Sequence, residues 1–264
     1  MFNSLIVATD PTAVQDRAIG VAGGLARRAR LPVELVSVIS SRHRVAGAGQ
    51  RRNTASGVGR HVTIAADDVG AAIVDHLRGR DGALLVMTTG GAGLVSEQRH
   101  SVTGDVLAGL IQPVLLLGPA VANDVPLAAP TLVATIDRTH APPLAVSVID
   151  SWQRTFGGHR PYVVDVIALT GWPAGQIEDA VERERADLGA ELLAARGIDA
   201  SPVVLRAGDP VSALLEFANG VDQPVFTVMS DRWAGGPSHW YSTTRRLVQQ
   251  SPRPVLVIPR DLAA

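Results

Sequence analysis

LIVATDPT at positions 5–12 and LVATIDRT at positions 132–139 decide how this chain is read. Each is a short apolar run ending in Ala-Thr and an aspartate. A run of this length and composition, bounded by turn residues, reads as a strand buried on both faces of a parallel sheet. Its return more than a hundred residues later predicts an internal repeat.

Working outward from the first run, residues 13–30 place Ala18, Ile19, Val21, Ala22 and Leu25 on one helical stripe. Arginines close that stretch, where the helix dipole favours cations. Pro32 introduces a strand at 33–40, and strands at 61–64, 83–89 and 113–118 follow. They alternate with helices at 68–80 and 101–110. After LVATID the second half repeats the series, with strands at 163–169, 202–208, 224–230 and 254–260. Alternating strands and helices predict an open parallel α/β sheet in each half. The first repeat is assigned to 1–120, a linker to 121–129 and the second repeat to 130–264. The last strands, PVLLLG and PVLVIPR, are apolar and would be exposed sheet edges. They are expected to meet edge to edge in an intramolecular pseudo-dimer.

The spacing locates one difference. Asp10 to Asp137 spans 127 positions and Pro113 to Pro254 spans 141, so repeat 2 carries about fourteen more residues, roughly four helical turns. Repeat 2 has a helical segment at 173–197, with Ile177, Val181, Leu188 and Leu192 on one face. Repeat 1 has a Gly- and Arg-rich segment without apolar period at 41–60, read as a lost helix.

Composition narrows the function. Of 264 residues, 46% are hydrophobic, enough for sizeable cores, and 4% are aromatic, too few for a base-stacking surface. The net charge of −1 gives no pull toward nucleic acid or anionic membrane. There is no cysteine, so disulfides and thiolate chemistry are excluded. There is also no lysine, which excludes a Walker-type loop and Schiff-base catalysis. No apolar run is long enough to span a bilayer, and the N-terminus lacks a basic leader, so a cytoplasmic location is expected. The histidines show no metal-binding spacing, and no metal site is expected.

In an open α/β sheet, ligands bind beyond the C-terminal strand ends where the strand order switches. In repeat 1 that gathers Asp10, the end of the second strand near Val38, and the loop TTGGAGLVSEQRHSVTGDV at 88–106. Glycines such as Gly90, Gly91 and Gly93 let backbone amides approach a phosphate. A helix opening at Ser101, Val102 and Thr103 offers free amides and hydroxyls. Asp137, Ser242 and Thr244 are the repeat 2 counterparts, forming a weaker second site.

Several stretches together resemble the universal stress protein family. They are VATD, VMTTGGAGL, the Ser-Val-Thr helix before PVLLLG, and in repeat 2 VATID, AGDPVSALLEFA, VMSDRWAGG and STTRRLVQQSPRPVLVIP. The resemblance covers nearly the whole chain, twice. It implies two tandem five-stranded Rossmann-like parallel sheets of order 3-2-1-4-5, with flanking helices. It also implies a stress-response regulatory protein, with ATP and magnesium as the ligand in the nucleotide-binding members. Those members carry Gly-x2-Gly-x9-Gly-Ser/Thr after the fourth strand. Here the Gly-Ser pair falls on His100-Ser101 and Tyr241-Ser242, so its glycine is replaced in both repeats. Repeat 2 adds Trp233, Trp240 and Tyr241 along the same path. Repeat 1 is therefore the expected nucleotide site, in a binding protein rather than an enzyme. A weak ATPase and a scaffold acting through protein contacts are the alternatives, and a homodimer is a further expectation.

Overall fold

The computed structural model describes residues 1–9, 17–39, 59–89, 102–125, 127–135, 142–168, 179–230 and 243–259. The first half runs β1 (Ser4–Thr9), α1 (Arg17–Ala29), β2 (Val33–Ile39), β3 (Arg60–Ala65), α2 (Val69–Leu77), β4 (Ala83–Thr88), α3 (Val102–Gly109) and β5 (Val114–Leu117). The second runs β6 (Thr131–Thr135), α4 (Pro142–Phe156), β7 (Tyr162–Ala168), α5 (Asp179–Ala194), β8 (Ser201–Ala207), α6 (Pro210–Asn219), β9 (Pro224–Ser230), α7 (Thr243–Gln250) and β10 (Val255–Pro259).

Local chemistry sets several of these boundaries. Asp68 caps α2 by accepting from the Ala71 N–H at 2.9 Å, and Asp209 caps α6 by accepting from Ser212 N–H at 3.0 Å. Each carboxylate satisfies a helix-end amide that has no partner within the helix. Pro210 follows its cap at the first helical turn, where its missing N–H costs nothing.

The strands form one ten-stranded sheet of order β3-β2-β1-β4-β5-β10-β9-β6-β7-β8. Each half has the expected order, but the expected pair of separate sheets is corrected. β5 and β10 pair antiparallel, with Val255 opposite Leu116, Leu256 opposite Leu115 and Val257 opposite Val114. Both strands are almost fully buried, and left apart they would expose apolar side chains and unpaired backbone groups. The register is self-complementary about Leu115 and Leu256, which is what a pseudo-twofold joint requires.

Two apolar layers sandwich the sheet. On one face Leu5, Val7, Leu35, Leu84, Leu132 and Val225 pack under α1, α4 and α5. On the other, Ile6, Val36, Met87, Val133, Phe226 and Val228 pack under α2, α3, α6 and α7. Both layers run through the two halves without a break. An aromatic cluster crosses the seam on the first face. Phe2 stacks on Phe156 at 5.8 Å between ring centroids, and Trp152 tilts against Phe156 at 4.7 Å. α1 also ties down the segment that joins the halves. The Arg17 guanidinium donates to the carbonyls of Gly118, Pro119 and Val121, and Arg28 donates to those of Phe156 and Ala128.

The register corrects the repeat at residue level. Leu5 lies beside Leu84 and Leu132 beside Val225, all on the α1 and α4 face. Leu5 and Leu132 are therefore equivalent, five positions before Asp10 and Asp137 respectively. The Val-Ala-Thr strings themselves are out of step by one, since Val7 faces α1 while Val133 faces the opposite layer. The extra Ile136 restores the aspartate. The helix caps also align the repeats: Asp68 is the counterpart of Asp209. At the C-terminal end of α5 the expected apolar face is also turned, while Ile177 lies outside the described residues. Leu188 and Leu192 are exposed, while Gly189 and Leu193 are buried.

Matching helix pairs are joined by different means in the two halves. α2 meets α3 through Gly70, where an added Cβ would lie 2.6 Å from the Asp105 Cβ. α6 meets α7 through a two-pronged ion pair, Arg246 to Asp209, at 2.7 and 3.0 Å.

Candidate functional site

In repeat 1 the strand order switches between β1 and β4, which are direct neighbours in the sheet. From β1 the chain passes to α1 on one face, and from β4 it passes to α3 on the other. Their C-terminal ends therefore flank a crevice. Asp10, Gly90, Gly91, Gly93 and Ser101 lie outside the described residues, as do Asp137 and Ser242 of the second site and the 41–58 segment.

The described candidates divide by burial. Val38 is packed into the layer under α2 and α3 near the end of β2, so only its backbone is left for a ligand. Val102 opens α3 and is exposed. Thr103, one residue on, is buried, and its hydroxyl makes no hydrogen bond among the described residues. In repeat 2, Thr244 occupies the matching place in α7, but its hydroxyl already donates to the Met229 carbonyl at 3.4 Å.

Sequence reasoning missed two features. The first is Thr89, just past β4. Its N–H donates to the Leu117 carbonyl at 2.9 Å, which fixes the residue between β4 and β5. Its hydroxyl is buried with no partner among the described residues. A buried hydroxyl without a hydrogen bond costs about 1–3 kcal/mol. The second is a hydrogen-bond chain across three strands: Thr9 Oγ1 lies 2.9 Å from Ser37 Oγ, which lies 3.0 Å from His61 Nε2. Ser37 is only 4% exposed. The chain thus satisfies buried hydroxyls and does not present Ser37 to a substrate. The alternation in RHVTIA at 60–65 signals it: His61, Thr63 and Ala65 are exposed, while Val62 and Ile64 are half-buried. A strand covered on both faces does not alternate in this way.

Among the described residues, two carboxylates held by cations lie away from the β4 end. Glu34, at the opposite end of β2, contacts His76 at 2.5 Å and Arg80 at 3.0 Å. Burial opposes its ionisation, but hydrogen bonds from His76 and Arg80 outweigh that and hold its carboxyl below the usual range. Hydrogen bonds from the Arg246 guanidinium, then from Ser212, hold the Asp209 carboxyl well below it. An open groove of about 530 Å³ lies between α1 and residues 123–128, over Gly20 and Gly24. Arg28 flanks it, but its guanidinium is already engaged by backbone carbonyls. Among the described residues no cluster of three or more His, Asp or Glu is arranged to hold a metal ion. Among them, too, no helix is long and apolar enough to cross a membrane.

These features define a three-layer α/β protein with a polar strand-end crevice and one strand order written twice. Its neighbours among solved structures include universal stress proteins. The chain is similar to a universal stress protein from Archaeoglobus fulgidus DSM 4304, with 18% identity, a TM-score of 0.67, and coverage of 99% of this chain and 98% of that one. It is similar to a candidate universal stress protein from Pseudomonas aeruginosa UCBPP-PA14, with 13% identity, a TM-score of 0.62, and 98% and 94% coverage. A functionally unknown protein from Pseudomonas aeruginosa PAO1 matches with 14% identity, a TM-score of 0.63, and 98% and 93% coverage. No protein-family model and no curated protein matches the chain. At these identities the likeness is one of fold.

Proposed function

We propose that the chain is a regulatory binding protein of the universal stress protein type, which takes an adenine nucleotide in the repeat 1 crevice without turning it over. The observation that carries this reading is the difference in hydroxyls at the two strand-end crevices. Thr131 and Thr227 of repeat 2 are buried without a partner too, but they lie at the start of β6 and within β9, not past a strand's C-terminal end. In repeat 1, Thr89 is buried without a partner and Thr103 makes no hydrogen bond among the described residues, so both have capacity for an incoming polar ligand. In repeat 2 the Thr244 hydroxyl is already committed to the chain. Repeat 1 also keeps Gly90, Gly91, Gly93 and Ser101 in the adjoining loop, where small side chains allow close approach to phosphate. Magnesium would enter with ATP as its companion ion, not as a resident metal.

Calorimetric titration with ATP, with and without magnesium, tests the reading. Saturable binding is expected, lost in Gly91→Val and weakened in Thr89→Val, and unchanged in Ser242→Ala. No heat and no thermal shift at high ATP would remove the nucleotide and leave a scaffold acting through protein contacts. Binding lost in Ser242→Ala but intact in Gly91→Val would move the site to repeat 2. Phosphate release from bound ATP at a steady rate would turn the protein into an ATPase.

A further inference from the structure

The ten-stranded sheet ends in two strands, β3 and β8, and they are finished differently. On β8, Ser201 donates its N–H inward to the Pro161 carbonyl at 2.8 Å. Backbone N–H groups alternate in direction along a strand, so the next residue faces outward. That residue is Pro202, which has no N–H to offer an added strand. α5 also packs across β8 and β7. Among the described residues β3 has neither protection. His61 stands where Pro202 stands: His61 pairs with Leu35 and Pro202 with Val163, and those two occupy matching places under α1 and α4. Ala66 donates inward to the Ile39 carbonyl at 3.1 Å, so by alternation His61, Thr63 and Ala65 direct their N–H groups outward. All three donors are present, and the side chains of these residues are exposed.

We propose that β3 is a homodimerisation edge, at which a second copy of the chain adds its own β3 antiparallel with Thr63 on the twofold axis. Three observations select a second copy as the occupant. In this register His61 lies opposite the copy's Ala65, and Thr63 lies opposite itself. Val62 lies opposite the copy's Ile64, covering two half-buried apolar side chains. The charges are complementary as well, because the strand begins at the exposed Arg60 and runs out into Asp67. An antiparallel copy brings each basic start beside an acidic end. Finally, β5 and β10 already join by the same kind of self-complementary antiparallel register.

The full chain is tested by light scattering after size exclusion, over a concentration series. A dimer of twice 27.6 kDa is expected. His61→Pro copies the residue that repeat 2 uses at this place and removes an outward donor. Thr63→Lys sets two like charges opposite each other on the axis and leaves the buried layers untouched. Both are expected to weaken association by about tenfold or more, with the thermal midpoint of Thr63→Lys unchanged. Because the chain has no cysteine, Thr63→Cys also reports directly. Oxidation should give a covalent dimer, whereas Ala122→Cys on the exposed linker should not. A wild-type monomer at every concentration overturns the proposal. So does a dimer that survives Thr63→Lys and fails to cross-link through Thr63→Cys, which would put the contact elsewhere. Slow hydrogen exchange of β3 amides in a monomer would mean that the chain's own residues cover the edge, and would also overturn it.

Discussion

Gly118→Ala is the sharpest test of how the two halves dock. Gly118 follows β5, and a Cβ built on it would sit 1.7 Å from the Val248 carbonyl oxygen of α7 and 2.9 Å from that carbonyl carbon. Ordinary carbon contacts begin at about 3.5 Å, so the overlap approaches 2 Å. Both sides are backbone, and no side-chain rotation relieves it. Overpacking costs typically about 1–3 kcal/mol, and this position belongs at the top of that range or beyond. At about 2–4 °C per kcal/mol for a chain of this size, the thermal midpoint should fall by roughly 6–12 °C. The matched control is Gly24→Ala in α1. Nothing lies within 4 Å of a Cβ placed there, so the variant gains only helix propensity. That is worth about 1 kcal/mol, and the midpoint should rise by roughly 2–4 °C. Thermal unfolding followed by circular dichroism reads both. The same substitution should move the midpoint in opposite directions. A Gly118→Ala protein that melts with the wild type would refute the close approach of α7 to the end of β5.

The helix pairs supply two more tests. The lowered Asp209 pKa contributes stability that is fully present above the unfolded carboxylate value of about 4 and is lost as pH falls through the folded value. The gap in thermal midpoint between wild type and Asp209→Asn should therefore be widest above about pH 4 and close in stronger acid. It should also narrow in high salt, because the pair is about one-third exposed. A gap that grows as the pH falls would reverse the assignment. Gly70→Ala should cost about 1–3 kcal/mol, because its Cβ meets Asp105 across the α2–α3 contact. Equilibrium urea unfolding reads that loss, and a neutral result would mean that α2 and α3 sit farther apart.

The strand series, the parallel halves and the meeting of β5 with β10 were legible because each rests on a local apolar run and on the need to cover it. The half-repeat order came with the family resemblance. What the string could not show is which way a side chain faces, because that depends on the pairing register. The Val-Ala-Thr echo is the clearest case, since one added residue sends Val7 and Val133 to opposite layers. Leu188 and Leu192 failed for a similar reason, as Gly189 and Leu193 turned the buried face of α5. The bond from Ser37 to His61 joins residues on separate strands with no common motif. Thr89 is one threonine among several; Thr131 and Thr227 are also buried without a partner, and only its place just past the C-terminal end of β4 sets Thr89 apart. Most of the candidate nucleotide residues lie outside the described residues. For those, the glycine and hydroxyl pattern of the sequence is the available guide.

The antiparallel joint between β5 and β10 sets the direction of everything built on the sheet. All strands of the first half point one way and all strands of the second point the other. Because binding crevices open beyond C-terminal strand ends, the two halves present theirs on opposite rims of the molecule. No single small ligand reaches both, and neither rim can close over the other. The protein is in this sense a plate with two back-to-back handles, so divergence at one handle leaves the other free to keep its own partner.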